Sequence, residues 1–220
     1  MTCEEFSNVY WSHFIALEKE FAQTTSFVTI NEANYSTYSS MFAKLLLETC
    51  SEIDVTFKLY CSMLSPSFNG KKLNAYMMCM NQVDPLFSAQ KVEIRGLTNS
   101  IQPWINFSNN NAPFWWTAYN RVKHNRTEDS SIDGVSQKSF MFANLKNTVA
   151  ALAALYQIEV MIYYQLALSE SKTVQTPLPG SRFFRLLGTR WDDVMFYGDY
   201  AFYIQEDTGH LIMEASNIHY

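Results

Sequence analysis

Residues 115–126, WWTAYNRVKHNR, bring together the side chains of this chain that are best suited to chemistry. They supply an imidazole, a phenol, two indoles, amides and three cations within twelve residues. An imidazole exchanges a proton near neutral pH, while lysine and arginine hold phosphate or stabilise developing negative charge. Indole rings stack on nucleic-acid bases or wall a site. The composition of this stretch therefore favours chemistry on a phosphate-containing substrate.

A helix over residues 114–126 would present these groups on one connected surface. At about 100° per residue, six of these side chains span roughly 160° of the helix circumference, namely Trp116, Tyr119, Asn120, Lys123, His124 and Arg126. Asn120 and His124 lie one turn apart, so the amide can reach the ring and fix its tautomer. We expect His124 to act as a general acid or base, with Asn120 and Lys123 as catalytic companions. The predicted substrate-binding side chains on the same surface are Arg126, Tyr119 and Trp116.

Other segments supply further candidates for the same site. Glu52 and Asp54 interrupt an otherwise apolar run, and burial of either without a cationic partner would be costly. We interpret both as candidate supporting carboxylates, one of which faces inward and pairs with Lys123 or Arg126; the alternatives are a solvent-facing position and a catalytic role. Asn144 lies near the start of the longest predicted helix and is a candidate for substrate binding, with helix capping or surface exposure as the alternatives.

The stretch also has a purely structural interpretation. A Trp-Trp pair at the start of a helix often anchors that helix in a core, and clustered cations are often a solvated surface. The functional interpretation is favoured here because the polar side chains lie among the aromatic ones instead of on the opposite face.

Composition sets the wider limits. The chain has 220 residues, 48% of them hydrophobic, with only seven glycines and six prolines, which indicates one domain or a domain with an appendage. Its formal charge of −5 excludes a global attraction to nucleic acid or to an anionic membrane, so an anionic partner would need a local basic patch.

Cysteine and histidine usage indicates neither a disulfide framework nor a metal site. Cys3, Cys50, Cys61 and Cys79 form no C-x-x-C pair, and the last three lie among apolar residues, which predicts buried free thiols in a reducing cytoplasm. The histidines outside residues 115–126 lack metal-ligand spacing, and no phosphate-binding loop occurs, so no metal or other cofactor is expected. The N-terminus lacks the pattern of a signal peptide, and polar residues within 148–168 favour a buried core helix over a membrane span.

Apolar periodicity predicts a mainly α fold, an up-and-down bundle of four to five helices with a small C-terminal β-hairpin. The chain divides into a helical bundle domain at 1–176 and a hairpin appendage at 177–220 that packs on it, joined by Pro-Leu-Pro-Gly at 177–180. The predicted helices span about 4–22, 34–63, 73–81, 114–126 and 139–169, and the predicted strands include 92–94, 194–197, 200–204 and 211–213.

The motif W-x-x-Y-N-x-V-K-H-x-R at 116–126, followed by A-N-L at 143–145 and a long Ala/Leu helix, resembles a group of uncharacterised bacterial helical proteins. That group is similar to the HEPN superfamily (higher eukaryotes and prokaryotes nucleotide-binding). The resemblance covers about residues 5–170 and implies a helical bundle, often a homodimer, with metal-independent ribonuclease activity in toxin–antitoxin or phage-defence systems. The usual HEPN motif has a longer spacer than the two residues between Arg121 and His124, so only His124 is carried over, as an acid or base.

Three functions follow as expectations. The first is a cytoplasmic metal-independent ribonuclease that uses His124 on RNA, with Lys123 and Arg126 on the phosphate. The second is a non-catalytic helical module that binds a protein partner. The third is a binder of nucleotides or other small anions without RNA chemistry.

Overall fold

The protein is mainly helical, which confirms the predicted fold class. The computed structural model describes residues 1–170, 173–175, 177, 179–187, 200–204 and 211–215, with 173–175, 200–204 and 211–215 described by backbone alone. The helices are α1 (Cys3–Phe6), α2 (Ser12–Thr24), α3 (Ser40–Leu64), α4 (Leu73–Val83), α5 (Phe114–His124) and α6 (Leu145–Glu170). A π-helical turn, Ser7–Trp11, joins α1 to α2 without interrupting the helix.

The long helices α3 and α6 pack against each other at the centre, and α2, α4 and α5 surround them. Alanines at 150, 151, 153 and 154 are buried, and their small side chains allow neighbouring helices to approach closely. By length and composition α6 is the one described helix that could cross a membrane, but 89% of its most apolar stretch is buried inside the protein. This burial confirms the prediction of a core helix.

An aromatic cluster fills the space between α3, α5 and the segment that precedes α5. Phe57 stacks on Tyr76 and meets the edge of Trp104, whose indole in turn meets Trp115. Both indole N–H groups are satisfied: Trp104 donates to the carbonyl of Ala154 at 3.3 Å, and Trp115 donates to that of Pro103 at 2.9 Å. Since Trp115 is fully buried, this cluster fixes the rotation of α5 about its axis.

Within the described residues the strands form three small antiparallel sheets: β1 (Lys91–Ile94) with β5 (Phe184–Leu187), β2 (Asp129–Ile132) with β3 (Val135–Lys138), and β6 (Tyr200–Ile204) between β4 (Thr173–Gln175) and β7 (Leu211–Ala215). The β1 strand and the β6–β7 hairpin were predicted. The predicted strand at 194–197 lies outside the described residues. β5 follows the predicted domain boundary at 176 yet pairs with β1 from the middle of the bundle sequence.

The β2–β3 hairpin was not predicted from the sequence, and its Asp133-Gly134 turn has φ values of 51° and 76°. Two successive positive φ angles give the twist that a tight hairpin needs, and Asp-Gly is a typical pair for it. The predicted start of the helix at 34–63 was wrong: α3 starts at Ser40. Ser39 caps it by accepting a hydrogen bond from the Phe42 amide at 3.0 Å.

The four cysteines are buried free thiols, as predicted. Burial raises the pKa of the Cys50 thiol well above its ordinary value, although the charge of Lys123 opposes this effect. Because the thiolate is the nucleophilic form, Cys50 has the character of a core residue and not of a reactive one.

Candidate functional site

An open groove lies where α5, α3 and the loop before α4 meet. Its volume is about 770 Å³. Helix α5 contributes five of the seven predicted catalytic and substrate-binding residues to it, with Asp54 from α3 opposite. The residues that line it are Ser51, Asp54, Val55, Lys71, Lys72, Leu73, Asn74, Ala112, Trp116, Tyr119, Asn120, Lys123 and His124.

The helix repeat explains why these α5 residues share the groove. Their spacing follows one helix face, and α3 presents a matching row three and four residues apart. Trp115 turns into the core, while Trp116 is half-buried and packs edge-on to it, with ring centroids 5.9 Å apart. Trp115 therefore anchors the helix in the core, and Trp116 forms part of the groove wall.

Lys123 is held in place by Tyr119. Its Nζ donates a hydrogen bond to the Tyr119 hydroxyl at 3.0 Å and lies 5.2 Å from the centre of the same ring. This hydrogen bond is the main reason that the pKa of Lys123 is raised, and Asp54 contributes a smaller attraction. Lys123 is therefore cationic at neutral pH, which suits binding of a phosphate and not proton abstraction.

Asp54 is the carboxylate of the groove. Its Oδ1 accepts a hydrogen bond from the Tyr76 hydroxyl at 3.0 Å, and this bond together with burial raises the pKa of Tyr76. No ion pair within 4.0 Å joins Asp54 to Lys123 among the described residues. The carboxylate thus keeps acceptor capacity that faces the groove.

Two lysines of the groove escaped the sequence analysis. Lys71 and Lys72 follow the Asn69-Gly70 turn and are exposed, and Lys72 is the residue immediately before α4. With Lys123 they give the groove three lysines against one carboxylate. The adjacent lysine pair was visible in the sequence, but nothing local indicated that the loop folds back beside α5.

His124 is exposed at the end of α5 and lines the groove. No hydrogen bond joins it to Asn120 within the described chain, although the two side chains are one turn apart. Arg121, Lys123 and His124 all lie in the last turn of α5, where positive charge also interacts favourably with the carbonyl end of the helix. The charges of Arg121 and Lys123 thus stabilise the helix, and Lys123 also makes the electrostatic potential of the groove more positive.

Arg126 lies outside the groove, contrary to the expected single surface. The helix ends at His124, and Asn125 has the non-helical angles φ −132° and ψ 37°, so the helical projection does not extend to residue 126. The Arg126 Nε donates to the Val122 carbonyl at 3.2 Å, and the side chain lines another cavity beside Tyr38 and Phe140.

Glu52 and Asn144 also lie elsewhere. Two residues along a helix rotate the side chain by about 200°, so Glu52 points away from Asp54. Its side chain instead lies beside His13, with Nε2 and Oε2 3.8 Å apart, and burial raises the pKa of Glu52. Asn144 caps α6, since its Oδ1 accepts from the Asn147 amide at 3.0 Å. The capping alternative therefore holds for Asn144.

No group of three or more His, Cys, Asp or Glu side chains in the described part of the chain is placed to hold a metal ion. The chain matches no protein-family model, no curated protein and no solved structure in the comparisons made. The resemblance to HEPN proteins accordingly stays a prediction. A function for this chain is therefore inferred from the residues that line the groove.

Proposed function

We propose that this protein is a metal-independent ribonuclease that binds single-stranded RNA in the groove. One observation carries the proposal: an exposed imidazole, a carboxylate and three lysines line the same open groove in an acidic protein. Lysines attract the phosphate backbone, and half-buried Trp116 offers a ring for an unpaired base.

The reaction needs two proton transfers and no external reactant. The 2′-oxygen forms a bond to phosphorus and loses its proton, while the bond from phosphorus to the 5′-oxygen breaks and that oxygen gains a proton. His124 serves one of these oxygens, and Asp54 is the groove's candidate for the other. Lys123, fixed by Tyr119, stabilises the charge that develops on the phosphate. The products are a 2′,3′-cyclic phosphate and a 5′-hydroxyl.

A non-catalytic RNA-binding or nucleotide-binding module is the second candidate. It is favoured by the lack of a hydrogen bond between Asn120 and His124 in the described structure, because an unoriented ring is a poor proton-transfer group. In that case the groove would bind the same ligands and release them unchanged.

The test is incubation of the purified protein with a set of labelled single-stranded RNAs in EDTA. The ribonuclease proposal expects fragments that end in 2′,3′-cyclic phosphate. Intact RNA at high protein concentration would contradict it, and RNA binding without cleavage would favour the second candidate.

The resemblance extends the proposal to a homodimer that acts in the cytoplasm in toxin–antitoxin or phage-defence systems, with a protein partner as the antitoxin. Light scattering of the purified chain tests the dimer, and growth arrest on induced expression tests the toxin role.

A further inference from the structure

A second basic site lies in a cleft beside the paired strands β1 and β5. Its volume is about 410 Å³, and it shares no lining residue with the groove. Small-molecule sites commonly measure about 300–1,000 Å³. The residues that line it are Glu93, Arg95, Tyr156, Ser181, Arg182, Phe183, Phe184 and Arg185.

The cleft has an excess of positive charge. Arg185 is paired, with its Nε 2.7 Å from Oε2 of Glu93. Arg95 and Arg182 have no carboxylate within 4.0 Å in the part of the chain that the structure describes. Two exposed guanidinium groups therefore lie at one cleft without an acidic partner among the described residues, in a chain whose formal charge is −5.

The buried carboxylate of Glu18 forms no ion pair with Arg95 or Arg182 among the described residues, and its oxygens accept hydrogen bonds from other donors. Glu18 is 4% exposed, and its Oε1 accepts from the Ser181 hydroxyl at 2.5 Å and from the Phe183 amide at 3.1 Å. Its Oε2 accepts from the backbone amide of Arg182 at 3.0 Å. The Glu18 carboxylate thus binds the main chain of residues 182–183, and the Arg182 guanidinium is not its partner.

These contacts also make the cleft rigid. The Ser181 hydroxyl accepts from the Phe184 amide at 2.9 Å, and the Arg95 amide donates to the Phe183 carbonyl at 2.8 Å. The Arg182 guanidinium lies 5.3 Å from the centre of the Phe183 ring. Arginines on a fixed backbone lose less entropy when they bind a ligand.

We propose that this cleft binds a small aromatic phosphate monoester, with Arg95 and Arg182 on the phosphate. The planar guanidinium matches phosphate oxygens with two parallel hydrogen bonds. Tyr156, Phe183 and Phe184 supply an apolar floor for the organic part. The site is independent of the ribonuclease proposal.

The experiment is isothermal titration of the full chain with phenyl phosphate, inorganic phosphate and phenol. Phenyl phosphate is expected to bind best and phenol not at all. Arg95→Gln and Arg182→Gln should each weaken binding about tenfold. Arg121→Gln, which removes an exposed guanidinium outside both the cleft and the groove, is the matched control and should leave it unchanged.

Three results would overturn the inference: no heat with phenyl phosphate at about 10 mM, affinity insensitive to both Arg95→Gln and Arg182→Gln, or affinity lost in Arg121→Gln. Inorganic phosphate binding as tightly as phenyl phosphate would overturn the assignment of an aromatic ligand. Unchanged thermal midpoints of the arginine variants show that a loss of binding is not a loss of folding.

Discussion

Tyr119 holds Lys123 over the groove: the Nζ atom is 3.0 Å from the hydroxyl oxygen and 5.2 Å from the ring centre. The two residues are one helical turn apart, so the contact follows directly from the α5 helix. A lysine side chain is otherwise free to move, and this anchoring reduces the entropy that a bound phosphate would cost.

We expect Lys123→Met to weaken binding of single-stranded RNA and to reduce the slope of log K against log salt by about 1, because one phosphate contact is lost. Tyr119→Phe removes the anchor but keeps the charge, so its slope should match that of the wild type. The slopes are measured by fluorescence anisotropy across a salt series. An unchanged slope for Lys123→Met would place the phosphate elsewhere.

Lys72→Gln should weaken RNA binding, whereas Arg126→Gln should not. Both substitutions remove one exposed cation, but Lys72 lines the groove and Arg126 lines a different cavity. The pair separates an effect of the groove from an effect of net charge. Equal losses in the two variants would mean that binding depends on overall charge alone.

Glu159 limits the stability of the bundle at neutral pH. It is fully buried in α6, and neither carboxylate oxygen has a hydrogen-bond partner among the described residues. Burial, with a smaller contribution from Glu52, raises the pKa of Glu159 well above its ordinary 4.5. The folded protein therefore holds a proton that the unfolded chain releases, and stability falls as pH rises above that ordinary value.

Glu159→Gln should accordingly be more stable than the wild type near pH 7, and the difference should shrink toward pH 4, where both states of the wild type are protonated. Urea unfolding at several pH values measures this. The exposed Glu48→Gln is the control and should follow the wild-type curve, since its contact with Lys44 is 4.0 Å long and solvated. If Glu159→Gln were less stable than the wild type at pH 7, a buried ionisable carboxyl at this position would not be lowering the free energy of unfolding.

Glu18→Ala should destabilise the protein by about 2–4 kcal/mol, because it leaves the buried donors of the Ser181–Phe183 turn without their acceptor. Protease should then cut more readily after residue 177. Glu20→Ala is the control, since its carboxylate contacts Lys44 at a partly exposed position. Equal stability of the two variants would contradict a structural role for Glu18.

Local sequence patterns predicted most of the helices because burial repeats with the helix period. The α5 face shows the strength and the limit of this reasoning. The spacing placed Trp116, Tyr119 and Lys123 on one face, but it could not show that the helix stops before Arg126. That stop depends on the turn into β2, which is a tertiary feature.

The groove could not be predicted from the sequence, because its residues come from separate segments of the chain. Asp54 and Lys72 reach it from other segments, and only the packing of α3 on α5 and α4 brings them together. The sequence also could not predict that the Glu159 carboxyl has no hydrogen-bond partner among the described residues. An apolar neighbourhood on α6 does not reveal whether a partner approaches from another helix.

The single-turnover rate of RNA cleavage in EDTA, compared between His124→Ala and His13→Ala, tests the central claim most directly. Both histidines are exposed, but only His124 lines the groove. The account predicts wild-type cleavage by His13→Ala and a loss of about a hundredfold or more in His124→Ala, the usual contribution of a general acid or base. Cleavage by His124→Ala at the wild-type rate would contradict it.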